Sequence, residues 1–205
     1  MRKAIIIGLT GQTGAGKTTA ADMLRKFGYG IVDADRTAAR VTEKGSPVLE
    51  ALASNFGQDI KRADGTLDRK LLAERAFADE KHTKLLNDIT HPEIVRLIMK
   101  KVEGKFRYGF EGVVIDAPQL FESGLSSECS LIISVTAPES VRLKRIMERD
   151  GMTEEDAEKR MHAQLSEDFF KEHSDIIIIN DGSTEYLHEQ MTQAARIIEA
   201  RISGE

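Results

Sequence analysis

The chain has one cysteine, four prolines, no tryptophan and no excess of positive charge, and each shortage removes a class of function. A lone Cys129 leaves no partner for an internal disulfide and cannot build a cysteine-based zinc site. His82, His91, His162, His173 and His188 show no ligand spacing. A reducing cytoplasm is the expected location. Lys and Arg total 29 against 34 Asp and Glu, a formal net charge of −5, so neither nucleic acid nor a membrane surface is attracted in bulk. Any anion has to be held by a specific site. Long apolar runs are missing too: residues 4–9, 112–115 and 176–179 have strand length, far short of the roughly 20 residues a bilayer helix needs. Arg2 and Lys3 precede a run too short for a signal peptide, which leads into a glycine loop, so Met1 is read as part of the fold. At 205 residues, 40% hydrophobic, one compact domain with a small inserted subdomain is expected, and disorder is excluded.

What is present is a series of short apolar, β-branched runs, at 4–9, 30–32, 113–115, 131–135 and 176–179, each followed by a polar or glycine turn and a helical pattern. Apolar runs without alternation imply parallel strands covered on both faces, hence an α/β fold. Ala21, Leu24 and Phe27 share a helix face, and Ser46 before Pro47 reads as a helix start, as does Thr90 or His91 before Pro92. Thr153 with Asp156 matches a capping box, and Leu187, Met191, Ala194, Ile198 and Ile202 form an amphipathic stripe. Residues 35–109 are helical in period without a convincing strand, which indicates a helical subdomain inserted in a core of about 1–34, 110–137 and 174–205. A second insertion, 138–173, is rich in Arg and Glu.

Gly11-Gln12-Thr13-Gly14-Ala15-Gly16-Lys17-Thr18 satisfies G-x-x-x-x-G-K-[ST] between a strand and a helix. Glycines let backbone N–H groups converge on a polyphosphate, and the helix N-terminus adds a favourable dipole. Lys17 is then the counter-charge for the β and γ phosphates, and Thr18 offers a hydroxyl to Mg²⁺. With Thr19 these residues form the ATP-binding set. Asp33-Ala34-Asp35 follows the second strand: Asp33 is a candidate base toward an attacking hydroxyl, and the plainer reading is a cap, Asp35 starting a helix at Arg36. Asp116, ending the third strand, is either an acid near Mg²⁺ or a turn residue. Arg145 and Arg149, one helical turn apart, either share an anion or line a solvated face with Glu148 and Glu155 as partners. Arg160 and Gln164 repeat that spacing more weakly, and Gly151 offers a hinge.

In this order the motifs resemble those of the dephospho-coenzyme A kinases, within the P-loop nucleotide kinases, over nearly the whole chain. The resemblance is carried by Gly8-Leu9-Thr10-Gly11 with the P-loop, Asp33-Ala34-Asp35, Asp64-Gly65-Thr66-Leu67-Asp68-Arg69, Ile89-Thr90-His91-Pro92, Leu120-Phe121-Glu122, Arg145 with Arg149, Arg160 with Gln164, and Asp175 to Asn180. It implies a three-layer fold on a five-stranded parallel sheet, with 35–109 holding the acceptor and 138–173 acting as a small helical lid. It also implies ATP- and Mg²⁺-dependent phosphorylation of the ribose 3′-hydroxyl of dephospho-coenzyme A, giving coenzyme A and ADP. On that basis Asp33 is the base, Lys17 and Thr18 handle phosphate and metal, Arg145 or Arg149 belongs to the lid, and Asn180 lies near the adenine. A monomer or weak homo-oligomer is expected. The family's usual loop reads Gly-Gly-Ile-Gly-Ser-Gly-Lys-Ser, so Gln12, Thr13, Ala15 and Thr18 are departures, as is Gln119 in Pro118-Gln119-Leu120-Phe121-Glu122.

Three rival readings have distinct signatures. A kinase for another small acceptor, such as a nucleoside monophosphate or shikimate, shares every generic feature and differs only in the acceptor residues, and the order of the motifs argues against it. A regulatory GTPase requires Asn-Lys-x-Asp and Asp-x-x-Gly, and neither tetrapeptide occurs. A nucleotide-binding module without catalysis would bind ATP tightly and not turn over.

Overall fold

The computed structural model describes residues 3–204; Met1, read from the sequence as part of the fold, lies outside the described residues. The strands β1 (Ile5–Gly11), β2 (Gly30–Asp33), β3 (Gly112–Asp116), β4 (Leu131–Thr136) and β5 (Ile176–Ile179) form one sheet in the order β2-β3-β1-β4-β5. β1 runs parallel to β3, with Ile7 opposite Val114, and to β4, with Leu9 opposite Ile133; β4 runs parallel to β5. The continuous apolar runs have the expected cause, because Ile7, Leu9, Val113, Val114, Ile115 and Ile133 are all sealed from solvent. α1 (Lys17–Lys26) and α9 (Thr184–Ser203) pack in the same cluster as β1 and β4. The expected stripe from Leu187 to Ile202 is the buried face of α9.

The chain divides into two compact units, one made of the chain up to Val32 together with that from Val102 onward, the other Asp33–Lys101. The sequence reading put the inserted segment at 35–109. Two residues account for the shift: Asp33 caps a helix of the second unit, and Val102 is fully buried within the first.

The Asp33–Lys101 unit is helical. α2 (Ala34–Val41) is capped by Asp33, α3 (Pro47–Phe56) by Ser46 with Pro47 in the first turn, and α4 (Arg69–Ala76) by Asp68. Leu49, Leu52 and Ile60 are fully buried in its core, each worth about 2 kcal/mol of hydrophobic stabilisation. Asp64-Gly65-Thr66 is a tight turn closed by an isolated bridge between Lys61 and Leu67, and Asp68 then starts α4. One expectation is corrected here. Pro92 does not start a helix; it lies inside the continuous α5 (Glu80–Arg107). A proline in a helix interior costs about 3 kcal/mol. Leu85, Leu86 and Ile89 before it and Ile94 and Leu97 after it pack against one apolar cluster, so burial on both sides outweighs that cost.

In the first unit, β4 leads into α6 (Glu139–Asp150), α7 (Glu154–His162) and α8 (Glu167–His173). Ile146, Ala157 and Met161 give α6 and α7 a small core of their own, and Thr153 caps α7 through the Asp156 N–H and also hydrogen-bonds its carboxylate.

Candidate phosphate-binding site

β1 delivers the glycine loop to the N-terminus of α1. Gly14 (φ +77°) and Gly16 (φ +93°) are left-handed, the conformation that turns neighbouring N–H groups into an anion-binding nest. Space demands glycine as well: a Cβ on Gly14 would lie 2.7 Å from the Arg142 carbonyl oxygen, and one on Gly16 would lie 2.2 Å from Asn180 Nδ2. Thr18 and Thr19 are exposed at the start of α1, whose first N–H groups have no carbonyl within the helix to accept them.

Lys17 Nζ forms an ion pair with the Asp116 carboxylate at the end of β3. Sequence reasoning left Asp116 between a metal-side acid and a turn residue; its contact is with the loop lysine. The Thr18 hydroxyl and the Asp116 carboxylate are hard oxygen donors, a set that fits Mg²⁺, which keeps most of its sphere for water and phosphate.

The helices after β4 hold the loop from outside. Arg145 Nη1 donates to the carbonyls of Gly14 (3.3 Å), Ala15 (3.4 Å) and Asn180 (3.2 Å). Asn180 Nδ2 donates to Ala15 O at 2.8 Å, and Gln164 Oε1 accepts the Thr13 N–H at 2.8 Å. Arg142 is buried, with Nε on Ala137 O at 3.1 Å, and burial pushes its guanidinium below the ordinary arginine range. The sequence singled out Arg145, Gln164 and Asn180 but not Arg142; its i,i+3 spacing from Arg145 was the available signal.

Arg145 and Arg149 do not converge. Arg149 forms a two-pronged pair with Asp150 (2.8 and 2.7 Å), which also accepts from Arg160 Nη1 at 2.7 Å. The Arg149 hydrogen bond, with Arg160 beside it, holds the Asp150 carboxyl below its usual range. Glu148 and Glu155, the partners expected on a solvated face, pair instead with Lys144 and Lys159. Gly151, taken as a hinge, is the left-handed cap of α6.

Within the Asp33–Lys101 unit, Asp33 is exposed and its Oδ1 accepts the Arg36 N–H at 2.8 Å. The cap of this helix is therefore Asp33, and Asp35 sits in the first turn. Thr37 Oγ1 donates to Asp33 O at 2.6 Å and accepts from Lys101 Nζ at 2.7 Å. Burial, then the charges of Arg40 and Arg36, lower the Lys101 ammonium below its usual range against the opposing pull of Asp33. Nothing in the local sequence marks Lys101. Cys129, back in the first unit, is half-buried with Sγ on Leu125 O at 3.4 Å, and burial pushes its thiol up to about 12.

Residues 5–186 match the family model described as dephospho-CoA kinase. The chain belongs to the dephospho-CoA kinase family. A dephospho-CoA kinase of Corynebacterium glutamicum is 40% identical over 197 residues, covering 96% of this chain and 98% of that one. A crystal structure of a Thermus thermophilus protein superposes with a TM-score of 0.81 at 32% identity, covering 96% and 98% of the two chains. A shikimate kinase from Acinetobacter baumannii, solved with shikimate, shares the P-loop kinase fold at 14% identity and a TM-score of 0.53, covering 98% and 96%. The architecture is thus common to kinases of different acceptors, and membership of this family rests on the sequence.

Proposed function

We propose that this chain is a dephospho-CoA kinase, transferring the γ-phosphoryl group of ATP to the ribose 3′-hydroxyl of dephospho-coenzyme A to give coenzyme A and ADP, the last step of coenzyme A synthesis. The observation that carries it is the left-handed Gly14–Gly16 loop with Lys17 seated at its mouth, in a chain belonging to this family along most of its length.

The loop N–H groups and the N-terminus of α1 hold the phosphates, Lys17 neutralises charge that builds on them, and Arg145, which reaches the loop while Arg149 pairs with Asp150, supplies further positive charge from the lid segment 138–173. The Thr18 hydroxyl would hold Mg²⁺, which would supply positive charge to offset that of the phosphates. Asp33 takes the proton of the attacking hydroxyl, and the helical Asp33–Lys101 unit supplies the acceptor's contacts. Among the described residues no helix is long and apolar enough to cross a membrane. We place the protein in the cytoplasm, where a chain with a single thiol needs no disulfide.

The test is ADP release from Mg-ATP with dephospho-coenzyme A, AMP, CMP, shikimate or no acceptor, with the product identified by mass. Stimulation by dephospho-coenzyme A alone, with coenzyme A formed, is the expected result. Preference for another acceptor keeps the kinase and removes the acceptor; no stimulation by any of them removes the transfer reaction.

A further inference from the structure

Asn180 is 7% exposed and follows β5, where its backbone N–H donates to Thr136 O at 2.8 Å. Its side chain meets the protein's own atoms at both ends. Nδ2 donates to the Ala15 carbonyl at 2.8 Å, and Oδ1 accepts from Arg145 Nη2 at 3.4 Å. Arg145 Nη1 reaches the same Ala15 carbonyl at 3.4 Å, so two donors converge on one oxygen of the phosphate loop.

That oxygen belongs to the peptide joining Ala15 to Gly16. The peptide is trans, and in a trans peptide C=O and N–H point in opposite directions. Fixing the Ala15 carbonyl toward Asn180 and Arg145 therefore aims the Gly16 N–H the other way. Gly16 precedes the first residue of α1, so this N–H joins the positive end of the helix where an anion is held. Gly16 is also the residue whose Cβ would collide with Asn180 Nδ2, so the close approach of the amide and the glycine at 16 are two sides of one contact.

We propose that Asn180 is a positioning residue for the phosphate cradle: through the Ala15 carbonyl it orients the Gly16 N–H toward the phosphate chain, and it does not select the base. The proposal rests on the nucleotide-kinase reading and deepens it. It also separates two roles that a residue after β5 could have. A contact with adenine concerns ligands that carry the base, whereas orientation of the loop concerns every ligand with a phosphate chain.

Inorganic tripolyphosphate, which has no base, distinguishes them. Binding of tripolyphosphate, ATP and GTP is measured by calorimetry for the wild type, Asn180→Asp and Asn180→Ala, at a temperature where melting curves show each to be folded. Asn180→Asp keeps the volume and removes the donor; Asn180→Ala removes both and carries the test if a buried carboxylate unfolds the chain. Tripolyphosphate and ATP are each expected to bind about tenfold more weakly, the loss associated with one well-made hydrogen bond, with the ratio of ATP to GTP affinity unchanged. Loss of ATP affinity with tripolyphosphate affinity retained, or a changed ATP to GTP ratio, would overturn the proposal in favour of a base contact. Unchanged binding of all three would overturn it outright. A wild type that binds neither ATP nor tripolyphosphate would take down the nucleotide-kinase reading and this proposal with it.

Discussion

Lys17, the cation of the phosphate loop, is held by Asp116 at the end of β3, with both side chains about five-sixths shielded from solvent. The pair ties the ammonium of the first residue of α1 to the end of β3, and Asp116 is the carboxylate that, with the Thr18 hydroxyl, would hold the metal. Asp116→Asn removes the charge and keeps the shape. We expect half-maximal activity to require several-fold more Mg²⁺, with kcat lower by about a hundredfold, the scale for losing one preorganised electrostatic group. A Mg²⁺ titration with an unchanged midpoint would take Asp116 out of the metal's surroundings.

Asp33 caps α2 and is the proposed base, and the two roles separate by substitution. Asn is as good a cap as Asp, so Asp33→Asn should melt within a degree or two of the wild type and bind ATP normally. Transfer should fall by about 10²- to 10⁴-fold. Asp33→Ala should lose transfer and about 1 kcal/mol of stability as well. Undiminished turnover in Asp33→Asn would end its candidacy as the base.

Asp150, between Arg149 and Arg160, has a carboxyl pKa below the ordinary value. A group depressed in the folded state contributes stability above its unfolded pKa, near 4, and loses it as pH falls through the lower folded value. Thermal melts from pH 7 down to about pH 2 should therefore decline less steeply in Asp150→Asn than in the wild type, with the difference confined to the acid side. Because the group is exposed, added salt should shrink that difference. Parallel curves would show the pair to be energetically silent.

Pro92 is exposed within α5, where it withholds an N–H from the helix. Pro92→Ala is expected to stabilise the chain by about 1 to 3 kcal/mol, raising the melting temperature by several degrees. A lowered melting temperature would mean that the helix requires a proline bend to seat Leu85 and Leu97 together.

The strands were legible because burial on both faces leaves an unbroken apolar run, a signal that needs no knowledge of neighbours. The loop was legible because its chemistry is local: Gly11, Gly16, Lys17 and Thr18, the positions that define the pattern, lie within eight residues. What sequence could not supply are contacts between residues far apart in the chain. Gln164 meets Thr13 across 151 positions and Asn180 meets Ala15 across 165, and no spacing rule connects them. The start assigned to Pro92 failed for a related reason: local propensity favours a break there, and only the shared apolar cluster on both sides decides otherwise. Arg149 chose Asp150 over the glutamates because α6 ends there, at a glycine turn that changes which groups are neighbours.

Cys129 has a practical consequence. Its thiol is half-buried, hydrogen-bonded to a carbonyl and driven up to about 12, so at neutral pH it offers almost no thiolate to an alkylating dye. Labelling of the native chain by a thiol-directed dye is therefore expected to be slow. A pair of surface cysteines, one introduced on α7 and one on α9, would accept fluorophores with little background and without removing any native residue. The distance between α7 and α9 could then be followed in single molecules as ATP is added.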